Sequence, residues 1–167
     1  DICKATYKLL KNQGLNIEYP LNQTCCGQPM ANSGCAKDVK VLAINFVNNF
    51  KDYDYIVAPS GSCVTMVKEH YAEFFNDDKD YNKVKASIYE VCEFLHDIIK
   101  IENINFDISF PFKVGVHNSC HGHRVLKLAT ASELNIPYDS KLKNLLNKVN
   151  DIEMVTLKRE DECCGFG

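Results

Sequence analysis

Tyr55-Ile56-Val57-Ala58-Pro59-Ser60-Gly61-Ser62-Cys63 is the stretch that decides the fold class. Its short apolar run, ended by Pro59-Ser60-Gly61, predicts a buried strand that leads into a helix near Cys63. The order returns further on. Lys113 to His117 alternates as a strand through Val114 and Val116, and Cys120 to Ala131 then reads as helical.

Outward from these two strand-to-helix steps, periodicity supplies the remaining elements. Ala5, Leu9 and Leu10 predict a helix over Lys4 to Gln13 that Gly14 stops, followed by a short strand over Leu15 to Tyr19. Between Cys35 and Phe50, the positions Val39, Leu42, Ala43, Phe46, Val47 and Phe50 keep the spacing of one helix face. A second stripe runs through Val84, Ile88, Val91, Cys92, Leu95, Ile98 and Ile99, which makes Cys92 a packing residue. Asp77 to Asp80 reads as a surface loop, Leu142, Leu145 and Leu146 as a further helix, and Ile152 to Leu157 as a last strand. Alternating strands and helices predict an α/β fold with mostly parallel sheets and flanking helices. A weak internal repeat suggests two related halves: Leu9-Leu10, a strand and Cys25-Cys26-Gly27, then Leu145-Leu146, a strand and Cys163-Cys164-Gly165.

Composition narrows the function classes. The 167 residues carry 19 basic and 22 acidic side chains, a formal charge of −3, which gives no basic footprint for nucleic acid. At 46% hydrophobic and 25% charged, the chain has the make-up of a globular domain and not of a disordered one. No apolar run approaches the roughly 18 residues of a membrane span. The first residues, Asp1-Ile2-Cys3, do not resemble a secretory signal, so a cytoplasmic, reducing setting is expected, and a start other than Met suggests a longer protein.

The cysteines are the informative residues. Nine in 167 is about 5%, below the roughly 8–10% of a disulfide scaffold, and the number is odd. Random placement would yield roughly 0.4 adjacent pairs, yet two are present, each followed by glycine. Glycine beside vicinal cysteines lets the backbone turn sharply and aim thiolates and amide N–H groups at one centre. No C-x2-C spacing exists, which argues against zinc ribbons, zinc fingers and common ferredoxin runs. A multi-iron cluster can use neighbouring cysteines more readily than one tetrahedral ion can. Cys63 and Cys120 each follow a predicted strand, where open α/β sheets place their ligands.

Four motifs together resemble the cysteine-rich CCG domain family, and most of all its lactate-utilisation protein A group, with the B subunit of heterodisulfide reductase and the C subunit of anaerobic glycerol-3-phosphate dehydrogenase as relatives. They are Gln23-Thr24-Cys25-Cys26-Gly27-Gln28-Pro29 with Asn32-Ser33-Gly34, Pro59-Ser60-Gly61-Ser62-Cys63, His117-Asn118-Ser119-Cys120-His121, and Asp161-Glu162-Cys163-Cys164-Gly165-Phe166-Gly167. The resemblance implies two CCG domains, each holding a [4Fe–4S]-type iron–sulfur cluster, with Cys25, Cys26, Cys63, Cys120, Cys163 and Cys164 as ligands. It places a first CCG domain at 1–80, a helical connection at 81–112 and a second CCG domain at 113–167. A leading cysteine of the first motif would lie ahead of Asp1, and a trailing cysteine of the second after Gly167. Cys63-Val64-Thr65-Met66 departs from the C-x-x-C of the heterodisulfide reductase relatives, and Cys35 falls where the pattern requires no cysteine.

The function implied is that of an iron–sulfur electron-transfer subunit in a cytoplasmic oxidoreductase that oxidises L-lactate to pyruvate, working with other subunits of that complex. The alternative is a zinc-binding or thiol-rich interaction module without a redox role, since His117, His121 and His123 flank Cys120. Against zinc, these imidazoles can hydrogen-bond a cluster's surroundings and tune it from outside its ligands. His70 and His96 read as ordinary surface or boundary residues, and no P-loop or G-x-G-x-x-G for phosphates is present.

Overall fold

The computed structural model describes residues 1–158, 160 and 162. The chain divides into two compact units, Asp1–Val91 and Cys92–Gly167. Among the described residues, sheets occur as parallel strand pairs, as the alternation of strands and helices predicts.

In the first unit, helix α1 (Ile2–Asn12) ends before Gly14, whose φ of +77° belongs to the left-handed region. Helix α2 (Gln28–Asn32) opens from Gly27, and α3 (Ala36–Phe50) buries Val39, Ala43, Val47 and Phe50 along one face. Strand β1 (Ile56–Ala58) leads through Ser60 into α4 (Gly61–Thr65), which continues as a wider turn over Met66–His70 and a tight turn over Tyr71–Phe74. Helix α5 (Lys79–Ser87) then returns the chain to β2 (Ile88–Glu90), which pairs parallel with β1 in the register Ile56 to Ile88, Val57 to Tyr89 and Ala58 to Glu90. Val64, Met66, Val67, Tyr71, Val84 and Ile88 form the core over which this β–α–β crossover closes.

Three local expectations change here. Leu15–Tyr19 joins no ladder among the described residues, although Leu15 and Ile17 are half-buried, because alternation supplies a face and not a hydrogen-bonding neighbour. The stripe through Ile88 is not one helix, since the open edge of β1 captures Ile88–Glu90 as a strand. The 77–80 loop is half helix: the Asp78 carboxylate accepts the Tyr81 N–H at 2.8 Å and caps α5.

The second unit opens within the single turn α6 (Val91–Glu93), which runs on into a wider turn over Phe94–Ile98. Strand β3 (Phe106–Ser109) and strand β4 (Lys113–Gly115) follow, then α7 (Lys141–Leu146), capped by the Ser140 hydroxyl, β5 (Val149–Asn150) and β6 (Glu153–Val155). β3 pairs with β5, and β4 pairs with β6 through Lys113 to Glu153, Val114 to Met154 and Gly115 to Val155. Asp97 accepts from His96 Nδ1 at 2.7 Å and pairs with Lys141, so it ties the first turns of this unit to α7. The helix predicted over Cys120 to Ala131 is only a wide turn, His121–Val125, because Lys127 takes a φ of +57° and Leu128 N–H turns back to the Gly122 carbonyl at 2.8 Å. No helix among the described residues is long and apolar enough to cross a membrane.

Candidate metal centre

Cys25 and Cys26 stand just before α2, and the chain must reverse there for that helix to pack on α3. Gly27 makes the reversal with a φ of +85° and serves as the N-cap of α2. Its N–H donates to Cys25 Sγ at 3.4 Å, and its carbonyl accepts the Ala31 N–H at 2.9 Å. A Cβ at this position would meet Leu42 Cδ1 at 3.4 Å and Val39 Cγ1 at 3.5 Å, which is ordinary contact. The cost of a side chain is therefore backbone strain and not a clash. Gly27→Ala is expected to destabilise the chain by about 1–2 kcal/mol, measured by urea unfolding.

Cys63 arrives from the other side, in α4 at the carboxyl end of β1. Its sulfur lies 3.2 Å from Cys26 Sγ, and the Cys26 thiol donates to it. The two residues are separated by 37 positions, so the contact is a product of the fold. Cys26 is buried, Cys63 half-buried and Cys25 exposed, a gradient that leads from solvent into the first unit.

A residue that sequence reasoning missed holds this arrangement. Tyr71 is 0% exposed, packs edge-on against Phe46, and donates its hydroxyl to the Cys26 carbonyl at 2.8 Å. It stands on the tight turn that continues from α4, so one side chain links the Cys63 segment to the Cys25-Cys26-Gly27 turn. Burial, and after it the neighbouring cysteines, push the Tyr71 hydroxyl pKa up, which keeps it a neutral donor. The only hint in the sequence is its place one helical turn beyond Val67.

The thiols share one proton. The Cys26 thiol donating to it, helped by the Ser60 and Ser62 hydroxyls and opposed by burial, brings Cys63 down to about 6. The same hydrogen bond, with burial added, pushes Cys26 far up. Between pH 6 and the usual thiol range near 8.5, the folded chain has lost a proton that the unfolded chain keeps. Stability from Cys63 is therefore present above that range and is lost as pH falls through about 6. Above the usual thiol range the proton retained by Cys26 acts the other way. Alkylation of Cys63 by iodoacetamide in metal-free protein, followed by mass spectrometry, is expected to show a midpoint near pH 6.

The second unit repeats part of the plan. Cys120 begins the helical turn that follows β4, Cys63 lies within the one that follows β1, and Cys120 is half-buried. Because β4 and β6 run parallel, the chain beyond Gly115 and the chain beyond Val155 leave from the same edge. Cys163 and Cys164 lie outside the described residues. The repeat is incomplete at the first vicinal pair, where no strand precedes Cys25 among the described residues. Of the histidines, His117 is exposed, His121 half-buried and His123 buried. Cys3 and Cys35 are exposed, and Cys35 is the N-cap of α3. Cys92 is half-buried at the start of the second unit.

No group of three His, Cys, Asp or Glu side chains is arranged to hold a metal ion among the described residues. The donors nevertheless fit an iron–sulfur centre in kind, since thiols are the soft ligands such centres take. Two thiolates on one tetrahedral ion stand roughly 3.8 Å apart at ordinary metal–sulfur distances. The Cys26 and Cys63 sulfurs, in hydrogen-bond contact, would open by about half an ångström to share one ion, and further to bind separate irons of a multi-iron cluster.

The sequence profile of the cysteine-rich CCG domain matches residues 1–68 and 114–167, the segments that carry these cysteines. The chain belongs to the CCG cysteine-rich domain family. Similar proteins include lactate utilization protein A of Geobacillus thermodenitrificans, 37% identical over 100% of this chain and 66% of that protein. The protein of the same name from Shouchella clausii is 38% identical over 98% of this chain and 65% of its own length. That of Macrococcus caseolyticus is 36% identical over 98% and 63%. This CCG chain thus spans less than two thirds of the length of these relatives. Its α/β architecture and its two CCG segments agree with the expectation of two related halves.

Proposed function

We propose that this CCG chain is the cluster-holding part of an iron–sulfur electron-transfer protein that serves the oxidation of L-lactate to pyruvate in the cytoplasm. The observation that carries the reading is the meeting of Cys26 and Cys63, two thiols from distant segments, beside the exposed thiol of Cys25. A role related to lactate utilisation follows from the relatives' names and from membership of the family.

Cys25, Cys26 and Cys63 would hold one centre, and Cys120 with Cys163 and Cys164 a second. The bound clusters would supply one-electron transfer. Lactate oxidation releases two electrons and two protons, so two one-electron centres match its stoichiometry. This chain's contribution is to set their environment. Cys63 offers a sulfur already ionised near neutral pH, while Cys26 must release its proton as the metal binds. The Tyr71 hydroxyl and the Gly27 turn hold the Cys26 backbone during that change. Partner subunits would supply the substrate chemistry.

The test is anaerobic purification of the full-length protein with iron and acid-labile sulfide analysis and electron paramagnetic resonance under reductant titration. Iron and sulfide in near-equal amounts with a reducible signal are expected. A protein that stays colourless and iron-free after reconstitution, or that takes up stoichiometric zinc instead, overturns the reading.

A further inference from the structure

His123 is 1% exposed, and neither Nδ1 nor Nε2 has a hydrogen-bond partner among the described residues. Whichever tautomer it adopts, an imidazole carries at least one N–H and cannot be satisfied by packing alone. Leaving such a group buried and unpaired opposes folding, and native chains keep few of them. A leucine would fill similar space without that penalty, so the imidazole opposes stability in the metal-free chain.

Its position on the chain places it beside Cys120. His123 N–H donates to the Ser119 carbonyl at 2.8 Å and Leu126 N–H to the His121 carbonyl at 2.9 Å, so residues 119–126 coil as one helical segment. His123 follows Cys120 by three positions on this segment, less than one full turn, so the two side chains leave neighbouring points of the same coil. The neighbouring imidazoles of His117 and His121 are not enclosed in this way.

We infer that His123 is a positioning residue for the centre that Cys120 would hold, donating its buried ring N–H to a sulfur of that centre. This inference rests on the iron–sulfur reading. A donated hydrogen bond to sulfur stabilises the more negative, reduced form and raises the reduction potential. The imidazole therefore opposes stability in the metal-free chain and favours reduction in the loaded one.

The experiment compares wild type, His123→Leu and His123→Asn in the full-length protein, reconstituted anaerobically with iron and sulfide. In His123→Leu, one of the two centres is expected to show a reduced-to-oxidised ratio about tenfold lower at fixed poise, a fall of about 59 mV, with the other unchanged. His123→Asn, which keeps an N–H donor, recovers part of that shift. Metal-free His123→Leu is expected to melt above wild type, a direction that a merely structural histidine would not produce. Selective iron loss from one centre together with a raised metal-free melting temperature also supports the role. Full iron content with both potentials unmoved, or a metal-free His123→Leu that melts below wild type, overturns the inference and leaves the iron–sulfur reading standing. A wild type that takes up no iron overturns both.

Discussion

Cys63→Ala in the full-length protein is expected to remove about half of the bound iron, because it abolishes one of two centres and leaves the other. The same loss is expected of Cys26→Ala. Cys63 lies on a helical turn with its neighbour Val64 fully buried, and its own side chain is half-buried, so alanine there leaves the surrounding packing in place. The Cys26 substitution is more disruptive to the fold, since that side chain is 7% exposed and donates to Cys63. Cys92→Ala is the comparison that separates coordination from folding: it is half-buried at the start of the second unit and should keep nearly all the iron. Equal iron loss in all three variants would mean that the substitutions unfold the chain instead of removing ligands.

Tyr71→Ala is expected to destabilise the metal-free chain by about 3–5 kcal/mol in urea unfolding, as for large core aromatics generally. The side chain is fully enclosed and touches Phe46, which itself lies 4.6 Å from the Phe50 ring on α3. Tyr71→Phe divides this effect. The ring remains, but the Cys26 carbonyl loses the hydroxyl that pairs it at 2.8 Å, at a cost of about 1–2 kcal/mol. Iron content is the second measurement. If Tyr71 positions the vicinal pair, Tyr71→Phe should also bind iron less tightly than its modest instability alone would explain. Unaltered iron affinity would reduce Tyr71 to a packing residue.

Much of this was legible in the chain. The face of α3 is visible because Val39, Ala43 and Val47 recur at the helical period, and tertiary contact only selects which of them are most deeply buried. The turn at Gly27 was foreseeable for a similar reason, since a glycine after two cysteines permits the left-handed backbone observed there. Ile88–Glu90 was not legible. Its residues fit both a helical stripe and a strand, and the choice was made by β1, more than 20 positions away, offering unpaired backbone groups. Leu15–Tyr19 fails in the opposite sense, having the strand pattern without a neighbour to pair with.

By itself the sequence determined which residues could take part: two vicinal cysteine pairs each closed by glycine, and two cysteines at strand-to-helix steps. These are properties of local spacing and of backbone freedom, which need no knowledge of the remote chain. Only the tertiary structure decided that Cys63, and not Cys3 or Cys35, meets Cys26, that Tyr71 secures the turn between them, and that His123 is enclosed with no partner among the described residues. Those outcomes depend on how the chain crosses its own core, where a contact 37 positions apart is set by the packing of α2 and of the Tyr71–Phe74 turn on α3 and not by anything written at either end of it.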